Sequence, residues 1–472
     1  PRRVGGRSVM TDPPSLRSLP SVHSILAHAG LADATARLGR STVVGLVRRA
    51  VEEARGAILD RRPGPTDTES LVAGVLRMMK EDRPHLRPVI NATGILLNTG
   101  LGRAPLAAGA ADAVAQVARG YCNLELDLAS GGRGRRATSV EPVLRRLTGA
   151  EAATVVNNNA AATVLTLRAL AAGREVIVSR GQLIEIGGSF RLPEIFEVSG
   201  ARLREVGTTN RTRLDDYARA IGPETAALLR VHTSNYRVVG FTESVGIAEL
   251  AKLAHENGLL AVDDVGSGVI RPGMPPGVGD EPTMAESIAA GADVVLGSGD
   301  KLLGGPQCGL MVGTSAAIAR IDADPLMRAV RVDKMTLAAL EATLRVALAA
   351  TPGIPLWALI ETSLTSLQDR AGSLAARLRC AGFAAEVEET EAMLGGGSTP
   401  GMTLASWAVR LLPPYPGGCA GLDESALARA LRVGEPSVIP RVRAGAVLLD
   451  LRAVFPGQDE GLVDALRAAA GR

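Results

Sequence analysis

Three short stretches carry residues whose types and spacing can do chemistry. Val155-Val156-Asn157-Asn158-Asn159-Ala160-Ala161-Ala162 runs from an apolar strand through three asparagines into a helix of small residues. A helix start leaves amide N–H groups unpaired, and small side chains let an anion such as a phosphate reach them. Asn is also a routine helix cap, so this stretch alone fits either use. Leu260-Ala261-Val262-Asp263-Asp264-Val265-Gly266-Ser267-Gly268 ends a strand in two carboxylates and turns through glycines. A carboxylate there can pair with a protonated ring nitrogen or a metal, or simply cap a turn. In the third stretch, Val294-Val295-Leu296-Gly297-Ser298-Gly299-Asp300-Lys301, a serine stands three residues before a lysine, with Gly304-Gly305 beyond. An ammonium is poorly placed at an apolar strand end without a charged or covalent partner. The chain has four lysines, Lys80, Lys252, Lys301 and Lys334, against 48 arginines, so few residues can offer an amine.

The order of the three is more specific than its parts. A phosphate cradle, a strand-end Asp and a Ser-x-x-Lys are what pyridoxal phosphate requires: donors for its phosphate, a carboxylate for its pyridinium nitrogen and a lysine for the Schiff base. That order resembles the aspartate-aminotransferase-like superfamily, fold type I.

The elements that must position these groups follow the same texture. From about Ile90, short β-branched runs alternate with Ala/Leu-rich helical stretches. The runs are Ala153 to Val156, Glu175 to Val178, Leu203 to Val206, Ala227 to Val231, Leu259 to Val262 and Asp293 to Leu296. The helices include Ala160 to Ala171, Leu214 to Ile221 and Ile247 to Asn257. Apolar strands without alternation, each followed by a helix, predict an α/β fold with a mostly parallel sheet covered on both faces. Such sheets bind ligands at the carboxyl ends of their strands, where the polar residues stand here. After about Pro352 the alternation stops. Val438 to Pro440 and Ala446 to Leu451 read as strands and Leu462 to Ala469 as a closing helix, so residues 351–472 are expected to form an α+β C-terminal domain beside a catalytic domain at 86–350.

The 472 residues, 46% hydrophobic and 21% charged, exclude fibrous and wholly disordered classes. Residues 1–20, rich in Pro, Gly, Ser and Arg, read as a disordered extension. Residues 21–85 show apolar spacing near 3.6, at Leu38, Val43, Val44, Leu46, Val47 and Val51 and again at Leu71, Val72, Val75, Leu76 and Met79, broken by Arg61-Arg62-Pro63-Gly64-Pro65. The formal charge is +3 overall, but residues 1–88 hold 15 basic against 9 acidic side chains. This helical domain is either a packing appendage or a nucleic-acid-binding one. Cys122, Cys308, Cys380 and Cys419 lie far apart with no ligand spacing, predicting neither a zinc site nor a disulfide framework. No apolar stretch approaches membrane-spanning length and none follows the basic N-terminus as a signal peptide requires, so a cytoplasmic setting is expected.

Several long motifs sharpen the resemblance. "VINATGILLNTGLGRAPL" from Val89, "VNNNAAATVL", "VSRGQLIEIGGSFRLPEI", "EVGTTNRTRLDDY", "LLRVHTSNYRVVGFTE", "GSGDKLLGGPQCGLMVG" and "PLMRAVRVDKMTLAALEATL" are similar to the bacterial selenocysteine synthase family, the L-seryl-tRNA(Sec) selenium transferases. The resemblance implies that Lys301 carries the cofactor, that Asp264 rather than Asp263 faces its ring nitrogen, and that Asn158, Asn159, Ala160 and Ser298 hold its phosphate. It implies that Arg133, Arg136, Arg328 and Arg331 bind an anion such as selenophosphate, within one subunit or across a subunit interface, and that residues 21–85 hold the tRNA, with Arg37, Arg40, Arg48, Arg49 and Arg55 as candidate phosphate contacts. No metal is implied. Aromatic residues, 2% of the chain, are too few for a base-stacking platform and favour recognition by shape and backbone.

The implied reaction is β-elimination from seryl-tRNA(Sec) to aminoacrylyl-tRNA, followed by selenium addition from selenophosphate, in a homo-oligomer of dimers forming a ring of ten. Gln182 stands where the family usually has Glu, Asn98 where His is common and Gly100 where Asn is common. His232 is either an active-site group or a satisfied strand-end histidine. One rival is a lyase or ammonia-lyase of the same fold acting on a small amino acid or amino sugar phosphate. Another is a tRNA-binding protein without catalysis.

Overall fold

Runs that are apolar at every position become inner strands, because only a sheet covered on both faces hides every side chain. In the computed structural model, which describes residues 16–60, 62–81, 85–186, 190–273, 278–279, 281–349 and 352–471, the chain divides into two compact units, Pro1–Pro88 and Val89–Arg472.

In the first unit, helices α1 (Val22–Leu26), α2 (Ala32–Leu38), α3 (Arg40–Leu59) and α4 (Thr68–Glu81) follow one another. Along α3, Val43, Val47, Ala50, Val51, Ala54 and Ala57 are buried. This stripe packs with Ile25, Leu31, Leu71, Val75 and Met78. Arg37, Arg40, Arg48, Arg49 and Arg55 are all exposed. Arg37, Arg49 and Arg55 pair with Asp33, Glu53 and Glu52 within their own helices, whereas Arg40 and Arg48 have no acidic partner among the described residues. The expected extension at 1–20 lies outside the described residues up to 15, and Leu16–Ser18 form a short 3-10 turn.

The second unit holds, in chain order, β1 (Val89–Ala92), β2 (Ala152–Val156), β3 (Glu175–Ser179), β4 (Glu185–Ile186), β5 (Phe190–Arg191), β6 (Arg202–Val206) and β7 (Thr225–Val231). Then come β8 (Leu260–Gly266), β9 (Val294–Ser298), β10 (Gly309–Gly313), β11 (Ala384–Met393), β12 (Thr403–Leu412), β13 (Ser437–Arg443) and β14 (Ala446–Asp450). The large sheet has seven strands in the order β2-β10-β9-β8-β7-β3-β6. β10, which the sequence reading leaves unassigned, runs antiparallel to both neighbours, and the remaining pairs are parallel. The carboxyl ends of β2, β7, β8 and β9 therefore meet on one edge of the sheet, where its ligands bind.

A five-stranded sheet, β1-β13-β14-β12-β11, is built mainly from the C-terminal residues. β1 joins it in parallel with β13, Val89 opposite Ser437, so the start of the second unit is tied to its end. Helices Leu364–Cys380, Glu424–Val433 and Asp459–Ala469 cover this sheet around Leu374, Leu378, Leu427 and Leu466. No helix of the described residues is long and apolar enough to cross a membrane, and all four cysteines are free.

Candidate active site

The three stretches converge. Asn158, Asn159, Ala160, Asp264, Ser298 and Lys301 all line one cavity of about 270 Å³ at the carboxyl edge of the large sheet. Lys301 is 4% exposed, and among the described residues its amine makes no hydrogen bond or ion pair. Burial, and then the charge of Arg103, lower its proton affinity, while Asp264, Asp300 and Glu281 oppose them.

Successive strand residues face opposite sides of a sheet, and this separates the two aspartates. Asp263 faces away from the cavity: Arg230 Nε and Nη2 donate to its two oxygens at 2.7 and 2.6 Å, and Ser287 Oγ adds a bond of 2.6 Å. Asp264 faces the cavity and accepts from Asn159 Nδ2 at 2.9 Å, Thr163 Oγ1 at 3.2 Å and Gly266 N at 3.0 Å. Burial raises its pKa despite these donors. The turn after β8 passes so close to β9 that a Cβ on Gly268, at φ +75°, would lie 1.9 Å from the Ser298 carbonyl oxygen. Only glycine fits there.

The asparagine stretch caps its helix and also leaves two amides open. Asn158 caps helix Asn159–Ala171 by accepting the Ala161 N–H at 2.9 Å. The amides of Asn159 and Ala160 have no hydrogen-bond partner among the described residues, leaving donors at the end of a 13-residue helix dipole. Asn159 Oδ1 is buried without a partner.

Arg103 and Asp300 belong to the site although the sequence reading does not single them out. Both line the cavity, and Arg103 Nη1 donates to Asp300 Oδ2 at 2.8 Å. The available signal was a carboxylate directly before the lysine, but its partner stands 197 positions away. The Asn98 and Gly100 departures fall in the turn that delivers Arg103: Asn98 Oδ1 accepts the Gly100 N–H, and its carbonyl accepts the Arg103 N–H, both at 3.0 Å. Gln182 Oε1 accepts the Val231 N–H at 3.0 Å, bracing the end of β7. His232, the next residue, lines the cavity and also has a partner, its Nε2 lying 3.1 Å from Glu281 Oε2.

Arg133, Arg136, Arg328 and Arg331 gather elsewhere, around a second cavity of about 1010 Å³. Glu125 is their hub, 2.8 Å from Arg133, 2.6 Å from Arg136 and 3.6 Å from Arg331. Hydrogen bonds from Arg136 and Arg133 hold the Glu125 carboxyl below the usual carboxylate range. Arg328 has no acidic partner among the described residues. None of the four lines the Lys301 cavity within one chain, but Arg331 lies beside the end of β2 that leads into it, since Asn157 N donates to Val330 O at 2.9 Å and Val156 bridges to Arg331.

Residues 89–455 match the family model "L-seryl-tRNA selenium transferase", and residues 16–55 match "Selenocysteine synthase N terminal". The L-seryl-tRNA(Sec) selenium transferase of Hyphomonas neptunium is 45% identical, over 97% of this chain and 99% of its own length. That of Solidesulfovibrio magneticus is 47% identical, over 92% and 94%. Among solved structures, a D-glucosaminate-6-phosphate ammonia-lyase shares the fold with a TM-score of 0.58 at 22% identity, over 82% of this chain and 96% of its own. With a family model spanning most of its length and relatives at this identity over nearly all of it, the chain belongs to the L-seryl-tRNA selenium transferase family.

Proposed function

We propose that this protein converts seryl-tRNA(Sec) to selenocysteinyl-tRNA(Sec) with selenium from selenophosphate, using pyridoxal phosphate held at Lys301. The observation that carries the reading is the buried, unpartnered amine of Lys301 facing Asp264 across one cavity with the open helix start at Asn159.

The residues present fit that cofactor. Lys301 would hold it covalently, the amides of Asn159 and Ala160 with Ser298 would bind its phosphate, and Asp264 would pair with its ring nitrogen. Bound there, pyridoxal phosphate supplies an electron sink for a carbanion at the amino-acid Cα. A cation against Asp264 reverses the effect of burial and keeps the carboxyl ionised. Lys301, with its proton affinity lowered by burial and Arg103, is suited to accept the Cα proton when the substrate amine takes its place. Asp300, fixed by Arg103 at 2.8 Å, holds the position directly before it. Loss of the β-hydroxyl opens Cβ to selenium, and Arg133, Arg136, Arg328 and Arg331 would bring selenophosphate from the neighbouring cavity.

Substrate choice rests on the tRNA. Arg37, Arg40, Arg48, Arg49 and Arg55 are exposed cations suited to phosphate contacts, with Arg40 and Arg48 the freest. Exposed Tyr121, Leu128, Val239 and Phe241 favour association of copies, and the family resemblance favours dimers assembled into a ring of ten. The work would be done in the cytoplasm, where charged tRNA is used.

A small-molecule lyase of the same fold would not need the N-terminal unit. Visible absorbance of the cofactor-loaded protein, titrated with seryl-tRNA(Sec) and separately with free serine, tests the choice. The spectrum should respond to the charged tRNA and not to serine; a response to serine alone would transfer the assignment to the lyase.

A further inference from the structure

The loop lying against Lys301 comes from the other sheet. Beyond β11 the backbone is pinned to the segment after β1: Met393 N donates to Gly94 O at 2.8 Å, Leu96 N to Met393 O at 3.0 Å and Leu97 N to Leu394 O at 2.7 Å. Gly395, Gly396 and Gly397 then cross to the amine. A Cβ on Gly397, at φ +87°, would sit 2.7 Å from Lys301 Nζ, so the bare backbone there packs directly on the reactive nitrogen.

The far end of the loop is fastened by one side chain. Glu281 Oε1 accepts the Thr399 N–H at 3.0 Å, and Thr399 takes a left-handed φ of +42°, which a non-glycine residue adopts only when its surroundings impose it. His232 Nε2 lies 3.3 Å from the same oxygen and 3.1 Å from Oε2, which is buried without a hydrogen bond. The charged groups facing Lys301 are Arg103, Asp264, Asp300 and Glu281. Asp264 and Asp300 are engaged with Asn159 and Arg103, so Glu281 is the carboxylate acting on the amine that also holds the covering loop.

We propose that Glu281 is a positioning residue for Lys301: by holding Thr399 it seats the Gly395–Thr399 loop against Nζ and keeps the amine directed into the cavity. The proposal rests on the reading of Lys301 as the cofactor-bearing lysine. His232 steadies Glu281 from the cavity wall, which gives that histidine a use without placing it on the reacting atoms.

Two readouts test it, both on the full-length protein. In hydrogen exchange without cofactor, Glu281→Ala should speed exchange across residues 394–402 by about tenfold or more, while Glu281→Gln, which keeps an acceptor oxygen, should stay within about threefold of the parent. After loading with pyridoxal phosphate, the pH transition of the visible absorbance in Glu281→Gln should move down by about half a unit, because a negative charge near the lysine is lost. Unchanged exchange in Glu281→Ala, or an unmoved transition in Glu281→Gln, overturns the proposal. A parent protein with no visible band after loading overturns the cofactor reading and this one with it, an outcome recognisable before any variant is measured.

Discussion

Asp263 and Asp264 are neighbours on one strand with separable jobs, and exchanging each for asparagine should divide stability from cofactor binding. Asp263 is fully buried and holds Arg230 through two hydrogen bonds. Asp263→Asn leaves that guanidinium, 18% exposed, without its counter-charge, and breaking a buried pair from one side costs about 3–5 kcal/mol. For a unit the size of Val89–Arg472, an unfolding entropy of about 2 cal/mol/K per residue turns this into a fall of about 4–6 °C in Tm. Asp264→Asn keeps an acceptor oxygen for Asn159 and Gly266, puts a donor in place of the oxygen that accepts from Thr163, whose hydroxyl can accept in turn, and removes a carboxylate that burial disfavours. Its pKa lies above the ordinary 3.8, so its stabilising contribution is full below that pH and is lost as pH rises through the raised value. The stability of cofactor-free Asp264→Asn relative to the parent should therefore improve as pH rises from about 4. Its affinity for pyridoxal phosphate should drop by roughly 30- to 1000-fold, the weight of a buried charge partner worth about 2–4 kcal/mol. Thermal melting of the cofactor-free proteins and absorbance titration with pyridoxal phosphate give both quantities. A loss of cofactor affinity in Asp263→Asn at unchanged Tm, or a larger fall in Tm for Asp264→Asn, would refute the reasoning.

Other expectations follow from the same geometry. Arg103→Gln removes a cation that lowers the proton affinity of Lys301 and leaves Asp300 unpaired, so the pH at which the cofactor-free protein captures pyridoxal phosphate should rise; stopped-flow absorbance across pH checks the sign. Gly397→Ala places a methyl against Lys301 Nζ at a positive φ and should slow cofactor capture by about tenfold or more, with a stability loss of about 1–2 kcal/mol from the backbone. Arg328→Gln with Arg331→Gln should weaken binding of inorganic phosphate or selenophosphate and leave the cofactor spectrum unchanged, as calorimetry and absorbance would show. Arg40→Ala with Arg48→Ala should weaken tRNA binding and lower the slope of log K against log salt by about 2, read from filter binding at several salt concentrations.

How far the sequence was legible depended on whether a signal was local. β2, β7, β8 and β9 each carry an unalternating apolar run because both their faces are covered, and the polar groups toward their carboxyl ends stand where such a sheet puts its ligands. β11, by contrast, reads Ala-Ala-Glu-Val-Glu-Glu-Thr-Glu-Ala-Met. That composition suits a helix, and only its pairing with β12 at a sheet edge makes it a strand. Alternation alone says that Asp263 and Asp264 face opposite ways. Which face holds the cavity depends on Asn159, 105 positions earlier. Arg103 with Asp300, and Glu281 with Thr399, likewise join distant stretches that carry no mark of each other in sequence.

The most direct test of the account supplies purified protein, loaded with pyridoxal phosphate, with seryl-tRNA(Sec) and selenophosphate carrying radioactive selenium, and analyses the amino acid esterified to the tRNA. Selenocysteine should appear with the parent chain and be absent with Lys301→Ala. Selenium-free tRNA from the parent, or selenocysteine formed equally by Lys301→Ala, would contradict it.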